Sequence, residues 1–359
     1  MGRADKQRDF GLDLVRAAAG VLTLSVHFFL NNGFYDTPAA GKTMLAACMV
    51  RMLCMTCVPL FLLLTGYTCV NRKWSKGYYR KLLPVLFTYV LAGAACLAFR
   101  HFWLGESWGL KGIVRQFTIY AAAPYAWYIE MYIGLFLLSP FFNAAWHALE
   151  DSGKKALVLT LACLTALPGL INQVGTLLPA WWVGIYPLTY YAIGAWLREH
   201  PLRLKGWQFL LFWLGLAAVV GAKGYFTAAG GNYVWMPEDQ WGSLALTLES
   251  VCLFSCLKKA RGERLPAPLR WCVARVAKLA LPMYLVSYIA DQIIYLVLNK
   301  AVPQAQLRLF WMPLVVPVVV LCSLVLAQLA DWAAEALMRL VPAKTRNAAD
   351  AQCRNTKES

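Results

Sequence analysis

Three ionisable residues lie in the first apolar stretch of the chain, Leu12 to Leu30: Asp13, Arg16 and His27. A helix rises about 1.5 Å per residue, so His27 lies roughly 16 Å beyond Arg16 along the helix axis. Each residue turns the helix by about 100°, so the eleven residues from Arg16 to His27 make three turns plus roughly 20°, and the two side chains lie on the same face. Asp13 precedes Arg16 by three residues and is close enough to pair with it. The spacing therefore predicts a stripe with a cation at its start and a titratable base deep inside.

This stripe suits acid–base or nucleophilic chemistry on an anionic substrate. Ionisable groups in a membrane are costly and usually face a cavity or a partner. His27 is expected to act as a general base or as a nucleophile. Two interpretations of Arg16 and Asp13 stay open: they form an anchoring ion pair at the cytoplasmic boundary, or Asp13 orients Arg16 toward a bound anion.

A second candidate lies in the basic segment Asn71 to Tyr89, where Arg80 and Lys81 directly precede an apolar run that contains Pro84. Proline is well tolerated in the first turn of a helix, and the start of a helix attracts anions. The pattern predicts a cradle for phosphate groups, which are found both in coenzyme A and in lipid headgroups.

Two further groups of acidic and polar residues fall inside apolar stretches. Glu130 lies in the stretch Pro124 to Asn143, where it is expected either to pair with His27 or Arg51, or to reach the outer interface. Ser287 and Asp291 are four residues apart, so they share a helix face, but their role is left open. His101, His147 and His200 lack metal-ligand spacing, and no metal site is predicted.

The composition shows what must position these residues. The chain of 359 residues is 60% hydrophobic and only 14% charged, whereas soluble proteins carry about 25% charged residues. We predict an all-α, polytopic transmembrane bundle. The net charge of +16 does not indicate a nucleic-acid partner, because the basic residues fall in alternate loops. About ten spans are predicted, at residues 12–30, 44–70, 80–99, 126–146, 155–172, 180–197, 207–226, 241–257, 279–298 and 309–330.

Loop charge predicts the orientation. Of the 34 basic residues, 26 fall on the side of the N-terminus and seven on the other side, with Arg51 inside the second span. The positive-inside rule then places both termini in the cytoplasm. The transmembrane domain is predicted to cover residues 1–340, followed by a polar, disordered tail at 341–359. The outer loops 101–125 and 227–240 are rich in aromatic residues, which indicates an interfacial belt or, less simply, a sugar-stacking surface.

These residues resemble the integral-membrane acyltransferase family 3, which includes O-acetyltransferases of surface polysaccharides. The family hallmark is an Arg or Lys separated by ten residues from a His in the first span, often after Asp; here these are Asp13, Arg16 and His27. Further likenesses are VPLFLLLTGY, YYRKLLP, WYIEMYIGLFLLSPF, YYAIGAWL and LPMYLVSY, in that order along the chain. Many relatives carry a second His where this chain has Ser287, so the resemblance leaves His27 as the base.

The resemblance implies a multi-pass enzyme of the cell membrane, most simply a bacterial plasma membrane. It would transfer an acyl group, commonly acetyl, from cytoplasmic acyl-coenzyme A to a hydroxyl of a surface or lipid-linked glycan. Arg16, Arg80 and Lys81 would hold the coenzyme A phosphates, Asp13 would orient Arg16, and Glu130 would orient His27 or contact the acceptor. Two alternatives remain: a proton-coupled transporter that uses Arg16, His27, Arg51 and Glu130, and a scaffold that binds glycan through its outer aromatic residues.

Overall fold

A computed structural model describes residues 9–340, apart from 173 and 229, as a bundle of helices without β-strands, which confirms the predicted fold class. The predicted tail at 341–359 lies outside the described residues. The α-helices are α1 Phe10–Asn31, α2 Gly41–Met55, α3 Cys57–Cys69, α4 Leu83–Leu104, α5 Leu110–Thr118, α6 Trp127–Ala148, α7 Asp151–Thr165, α8 Pro168–Ile171, α9 Tyr186–Glu199, α10 Gly206–Ala228, α11 Leu244–Lys258, α12 Ala267–Ala301, α13 Ala305–Arg308 and α14 Met312–Leu340. Short 3₁₀ helices cover Phe34–Asp36, Tyr78–Leu82, Ala180–Ile185, Pro237–Asp239, Gly262–Arg264 and Leu309–Trp311.

All ten predicted spans contain helix, and seven helical segments of the described chain are long and apolar enough to cross a membrane. The spans predicted at 155–172, 180–197 and 241–257 correspond mainly to α7, α9 and α11, which have 15, 14 and 15 residues. Helices of this length rise roughly 21–23 Å, less than the ~30 Å hydrocarbon core. The number of crossings and the side of the termini therefore stay predictions.

The second predicted span, 44–70, is not a single helix. It divides into α2 and α3 at Thr56. Pro59 lies in the first turn of α3, and its missing N–H cannot continue the hydrogen-bond ladder back to Met55. The Thr56 hydroxyl instead donates to the Leu53 carbonyl at 2.8 Å. The break divides α2, which holds Arg51, from α3, which lines the cavity described below.

Local sequence determines several helix ends. The Asp9 carboxylate accepts the Leu12 N–H at 3.2 Å at the start of α1, and the Ser243 hydroxyl accepts the Leu246 N–H at 3.1 Å at the start of α11. These contacts satisfy backbone donors that have no partner within the helix. Pro84 stands in the first turn of α4, as predicted, and Gly105 ends that helix with a φ of 73°.

The first helix lies at the centre of the bundle, where α1 contacts α12, α3, α11, α2 and α14. A second close contact joins α3 to α9 through small residues. A Cβ added at Gly66 would lie 2.0 Å from the Tyr191 carbonyl oxygen, and one added at Gly194 would lie 2.1 Å from the Leu63 carbonyl oxygen. Glycine at both positions lets the two backbones approach, which is how membrane helices commonly pack.

Candidate active site

A cavity of about 710 Å³ runs beside α1 and contains both residues of the predicted stripe, Arg16 and His27. Its walls come from α1, α3, α12 and the region of α6, and its lining is mainly apolar. Basic residues stand at the Arg16 end, and three tryptophans, Trp127, Trp235 and Trp241, belong to the same lining. A site that is mostly apolar with a few convergent polar groups is typical of substrate binding.

His27 is buried, with only 6% of its side chain exposed, and its surroundings orient the imidazole. Its Nδ1 lies 3.3 Å from Oδ2 of Asp291 and 3.4 Å from the Ser287 hydroxyl. The ring of Tyr125 covers the imidazole, with a centroid distance of 3.8 Å and an interplanar angle of 31°. Nδ1 therefore faces α12, and His27 itself belongs to the lining of the cavity.

The Asp291 carboxylate is fully buried, and neither of its oxygens has a hydrogen-bond partner of good geometry among the described residues. The His27 contact is at ion-pair distance but off the direction of a good hydrogen bond. A buried carboxylate needs a compensating charge or a proton. Asp291 is therefore suited to stabilise an imidazolium that forms at His27.

The opposite wall of the cavity is one face of α3. The lining residues Cys57, Phe61, Leu64, Thr65 and Thr68 recur at intervals of one to four positions, which places them on one helix surface. Arg72 follows in the loop after α3 and also lines the cavity. This face therefore connects the basic end of the cavity with its interior.

Three cations stand at the basic end: Arg16, Arg72 and Lys278. Nη1 of Arg16 lies 3.5 Å from Oδ1 of Asp13, so the predicted pairing of these two residues is formed. Lys278 donates to Asp331 at 2.7 Å while it lines the cavity. Guanidinium and ammonium groups grouped in this way suit a polyanion such as a chain of phosphates.

The structure places the other predicted site residues elsewhere. Arg80 and Lys81 are exposed in the 3₁₀ helix Tyr78–Leu82, and neither belongs to the cavity lining. Glu130 is exposed in the first turn of α6, and no described contact joins it to His27. Pairing with His27 was one of the alternatives for Glu130. The position beside the imidazole is instead occupied by Asp291, because α12 packs directly against α1.

Arg51 does not pair with Glu130 either. It is fully buried, and its Nη1 lies 3.1 Å from Oδ1 of Asp239, which is also fully buried. Arg51 is absent from the cavity lining, but its guanidinium carbon lies 4.4 Å from the ring centroid of Trp235, which belongs to that lining. The pair is therefore separated from the cavity by one indole ring.

Sequence reasoning missed three contributions to the site: Asp291, Arg72 and Lys278. The signal for Asp291 was present, since it shares a helix face with Ser287 in the middle of an apolar run. Arg72 belongs to the basic segment that we singled out for Arg80 and Lys81. Among the described residues, no three His, Cys, Asp or Glu side chains cluster as they would around a metal ion.

Comparison with known proteins gives one match. Residues 9–328 match the model of a family described as an acyltransferase domain, acyltransferase family 3. No curated protein and no solved structure matches the chain.

Proposed function

The chain belongs to acyltransferase family 3, and from this premise we propose that it transfers an acyl group, acetyl in the first instance, from cytoplasmic acyl-coenzyme A to a hydroxyl of a surface or lipid-linked glycan. The family match covers most of the chain, so the protein is a membrane acyltransferase. The donor, the acceptor and the direction of transfer are our proposal. The observation that carries it is the single cavity that holds the cations, His27 and the tryptophans.

The basic end of the cavity is the proposed donor site. Arg16, Arg72 and Lys278 offer three positive charges to the phosphates of coenzyme A, and the loop charges predict that this end faces the cytoplasm. The pantetheine arm would extend between α1 and α3, past Thr68 and Thr65, toward His27. The apolar walls there suit a thioester and exclude water, which would otherwise hydrolyse it.

His27 acts on the acceptor as a general base in this proposal. Its Nε2 takes the proton of the acceptor hydroxyl, the oxygen attacks the thioester carbon, and the carbon–sulfur bond breaks. The imidazolium then returns its proton to the coenzyme A thiolate. Asp291 keeps the proton on Nδ1 and stabilises the imidazolium, as the carboxylate does in a Ser–His–Asp triad. A covalent acyl-histidine is the alternative route.

We favour the direct transfer because one cavity contains the basic end, His27 and the tryptophans together. Donor and acceptor can therefore meet at the imidazole at the same time, and the reaction needs no stored acyl group. Glu130 has no place in this route. Arg80 and Lys81 are exposed, so in this proposal they only attract anions to the basic surface from a distance.

The experiment is the release of free thiol from acetyl-coenzyme A by the purified protein, in membranes that contain the glycan. His27→Ala should abolish the release while the protein inserts normally, because it removes the group that is proposed to take the proton of the acceptor hydroxyl. His101→Ala is the matched control, since His101 is exposed near the end of α4. Full turnover in His27→Ala would refute the mechanism.

The same preparation tests the transporter alternative. Of the four residues assigned to it, the structure places Arg16 and His27 in the cavity, while Arg51 pairs with Asp239 and Glu130 is exposed. A transporter would move protons or solute without consuming acetyl-coenzyme A. Solute transport driven by a proton gradient, without release of thiol from acetyl-coenzyme A, would therefore show that the protein is a transporter and refute our proposal.

A further inference from the structure

Two outer connections are joined beside the tryptophans of the cavity. The segment 32–40 follows α1, and the segment 230–240 follows α10. They meet in a β-bridge between Pro38 and Asn232, and the Ala39 N–H donates to the Gly231 carbonyl at 2.8 Å. Trp235 lies in the second segment; the residue is 44% exposed, and it belongs to the lining of the cavity.

A cluster formed by Arg51, Tyr35 and Asp239 contacts this indole. The ring of Tyr35 stacks on Trp235 with a centroid distance of 5.8 Å and an interplanar angle of 10°, and the Arg51 guanidinium carbon lies 4.4 Å from the indole centroid. The Tyr35 hydroxyl accepts a hydrogen bond from Arg51 Nε at 2.8 Å. The indole is therefore fixed by a cation and an aromatic ring at once.

Asp239 completes the cluster and connects it to the loop that carries Trp235. Its carboxylate accepts the Met236 backbone N–H at 3.0 Å and the Tyr233 hydroxyl at 3.0 Å. The Arg51 guanidinium lies 3.1 Å from the same carboxylate. The residues on both sides of Trp235 are thus tied to one carboxylate, which is in turn held by α2.

The energetics argue for a positioning role. Burying two charges costs desolvation energy that their attraction barely offsets, so a buried ion pair contributes little net stability compared with apolar side chains of the same size. Nη2 of Arg51 has no hydrogen-bond partner among the described residues, which adds to that cost. The pair has a defined geometry, and it contacts both the Trp235 indole, through Arg51, and the backbone N–H of the next residue, through Asp239.

We propose that Trp235 forms the wall of an acceptor subsite for the apolar face of a sugar ring, and that Arg51 and Asp239 are the positioning residues that hold it there. The inference rests on the proposed function and names the recognition element for its acceptor. An indole presents an electron-rich face, and the C–H groups on one face of a sugar ring carry the complementary partial charge. Trp127 and Trp241, which stack on each other at 5.9 Å, belong to the same cavity lining.

The test uses membrane vesicles from cells that make their own surface glycan and lack the chromosomal copy of this gene. Labelled acetyl-coenzyme A is the donor, and acetyl esters on the glycan are measured at several donor concentrations. Trp235→Ala should lower the maximal transfer rate about five- to tenfold, with an unchanged apparent KM for acetyl-coenzyme A, because only the acceptor side is altered. Trp103→Ala is the matched control, since this exposed tryptophan lies outside the cavity lining and should retain the wild-type rate.

Arg51→Lys and Asp239→Asn test the positioning role through a second readout. Both should lower transfer as Trp235→Ala does and also increase hydrogen exchange in the segment 230–240. Trp235→Ala should leave that exchange unchanged, because the contacts of Asp239 remain. Faster exchange with full transfer in Arg51→Lys would show that the cluster is only structural, and full transfer in Trp235→Ala would overturn the subsite. If the wild-type protein transfers no acetyl group to the glycan, the proposed function itself fails.

Discussion

At the scale of single residues, the contact between His27 and Asp291 gives the most specific prediction for catalysis. The carboxylate is suited to hold the Nδ1 proton and to stabilise the imidazolium during proton transfer. Asp291→Asn keeps the shape but removes the charge and can impose the wrong tautomer. We expect thiol release from acetyl-coenzyme A to fall about 100-fold or more, with little change in KM, as measured in proteoliposomes.

Ser287→Ala is the control for that substitution. The Ser287 hydroxyl lies 3.4 Å from the same nitrogen, but it also donates to the Tyr284 carbonyl at 2.9 Å and carries no charge. Its loss should reduce the rate by roughly threefold at most, since a long neutral hydrogen bond contributes little. Equal losses in Ser287→Ala and Asp291→Asn would show that packing against His27 matters and that the carboxylate charge does not.

The donor site gives a second prediction at this scale. Arg72 lines the cavity, whereas Arg80 is exposed outside it, although both belong to one basic segment. Arg16→Ala and Arg72→Ala should each raise the apparent KM for acetyl-coenzyme A roughly tenfold, because a charge-assisted contact to phosphate is lost. Arg80→Ala should change it less than about twofold. If Arg80→Ala raised the apparent KM for acetyl-coenzyme A more than Arg72→Ala did, the donor would bind at the exposed 3₁₀ helix and not at the basic end of the cavity.

The site shows how far sequence reasoning extends. The stripe of Arg16 and His27 was predictable because helix periodicity is local and fixes which residues share a face. The partner of His27 was not, since Asp291 lies 264 positions later and reaches the imidazole only through the packing of α1 against α12. The sequence analysis named Glu130 as a candidate partner of His27 and left the role of Asp291 open. Only the contacts between helices distinguish them.

At the scale of elements, the connection 105–121, which is predicted to lie on the outer side, is held by one side chain near the end of α4. Arg100 donates to both carboxylate oxygens of Glu106, at 3.1 and 2.7 Å, and to the Ala121 carbonyl at 3.0 Å. The hydrogen bond from Arg100 lowers the pKa of Glu106 below its ordinary value of 4.5. The charged carboxylate therefore joins the two ends of the segment that contains α5.

This contact should depend on pH in one direction. Because the pKa of Glu106 is lower in the folded protein, its stabilising effect is complete above the ordinary value and is lost as pH falls through the lowered one. We expect hydrogen exchange in the segment 105–121 to increase between about pH 6 and about pH 3, relative to the intrinsic rate. Glu106→Gln should show faster exchange at the higher pH and a smaller change on acidification. If the wild-type protein and Glu106→Gln showed the same change in hydrogen exchange on acidification, the ionisation of Glu106 would not be its cause.

Apolar runs and proline positions indicated most helices, since both act on the local backbone. The second span shows where this fails. A run of apolar residues predicts one long helix, but Pro59 lacks the N–H that would bond back across Thr56, so α2 and α3 are separate. This division affects the site directly. Residues of α3 line the cavity, whereas α2 carries Arg51, which pairs with Asp239 outside the cavity lining.

At the scale of the whole molecule, long-range contacts join loops that the charge pattern places on one side. Lys154 contacts Glu199 and Lys258 contacts Asp9 among the connections predicted to be cytoplasmic. The Pro38–Asn232 bridge and the Arg308 hydrogen bond to the Asn32 carbonyl join connections that are predicted to lie on the outer side. The contacts group the loops into two sets, and the excess of basic residues in one set predicts which set is cytoplasmic.

The three short helices test whether the chain crosses the membrane ten times. Reporter fusions after residues 149, 175, 203, 232 and 262 place alkaline phosphatase, which is active only outside the cytoplasm, before and after α7, α9 and α11. If each helix crosses, the fusions at 175 and 232 should be active and those at 149, 203 and 262 inactive. An inactive fusion at 175 would mean that α7 and α9 do not cross as a pair, which lowers the count to eight. That result would leave the predicted orientation of α1 unchanged, because the orientation follows from the loop charges and because losing two crossings as a pair does not change the side of the connections before them.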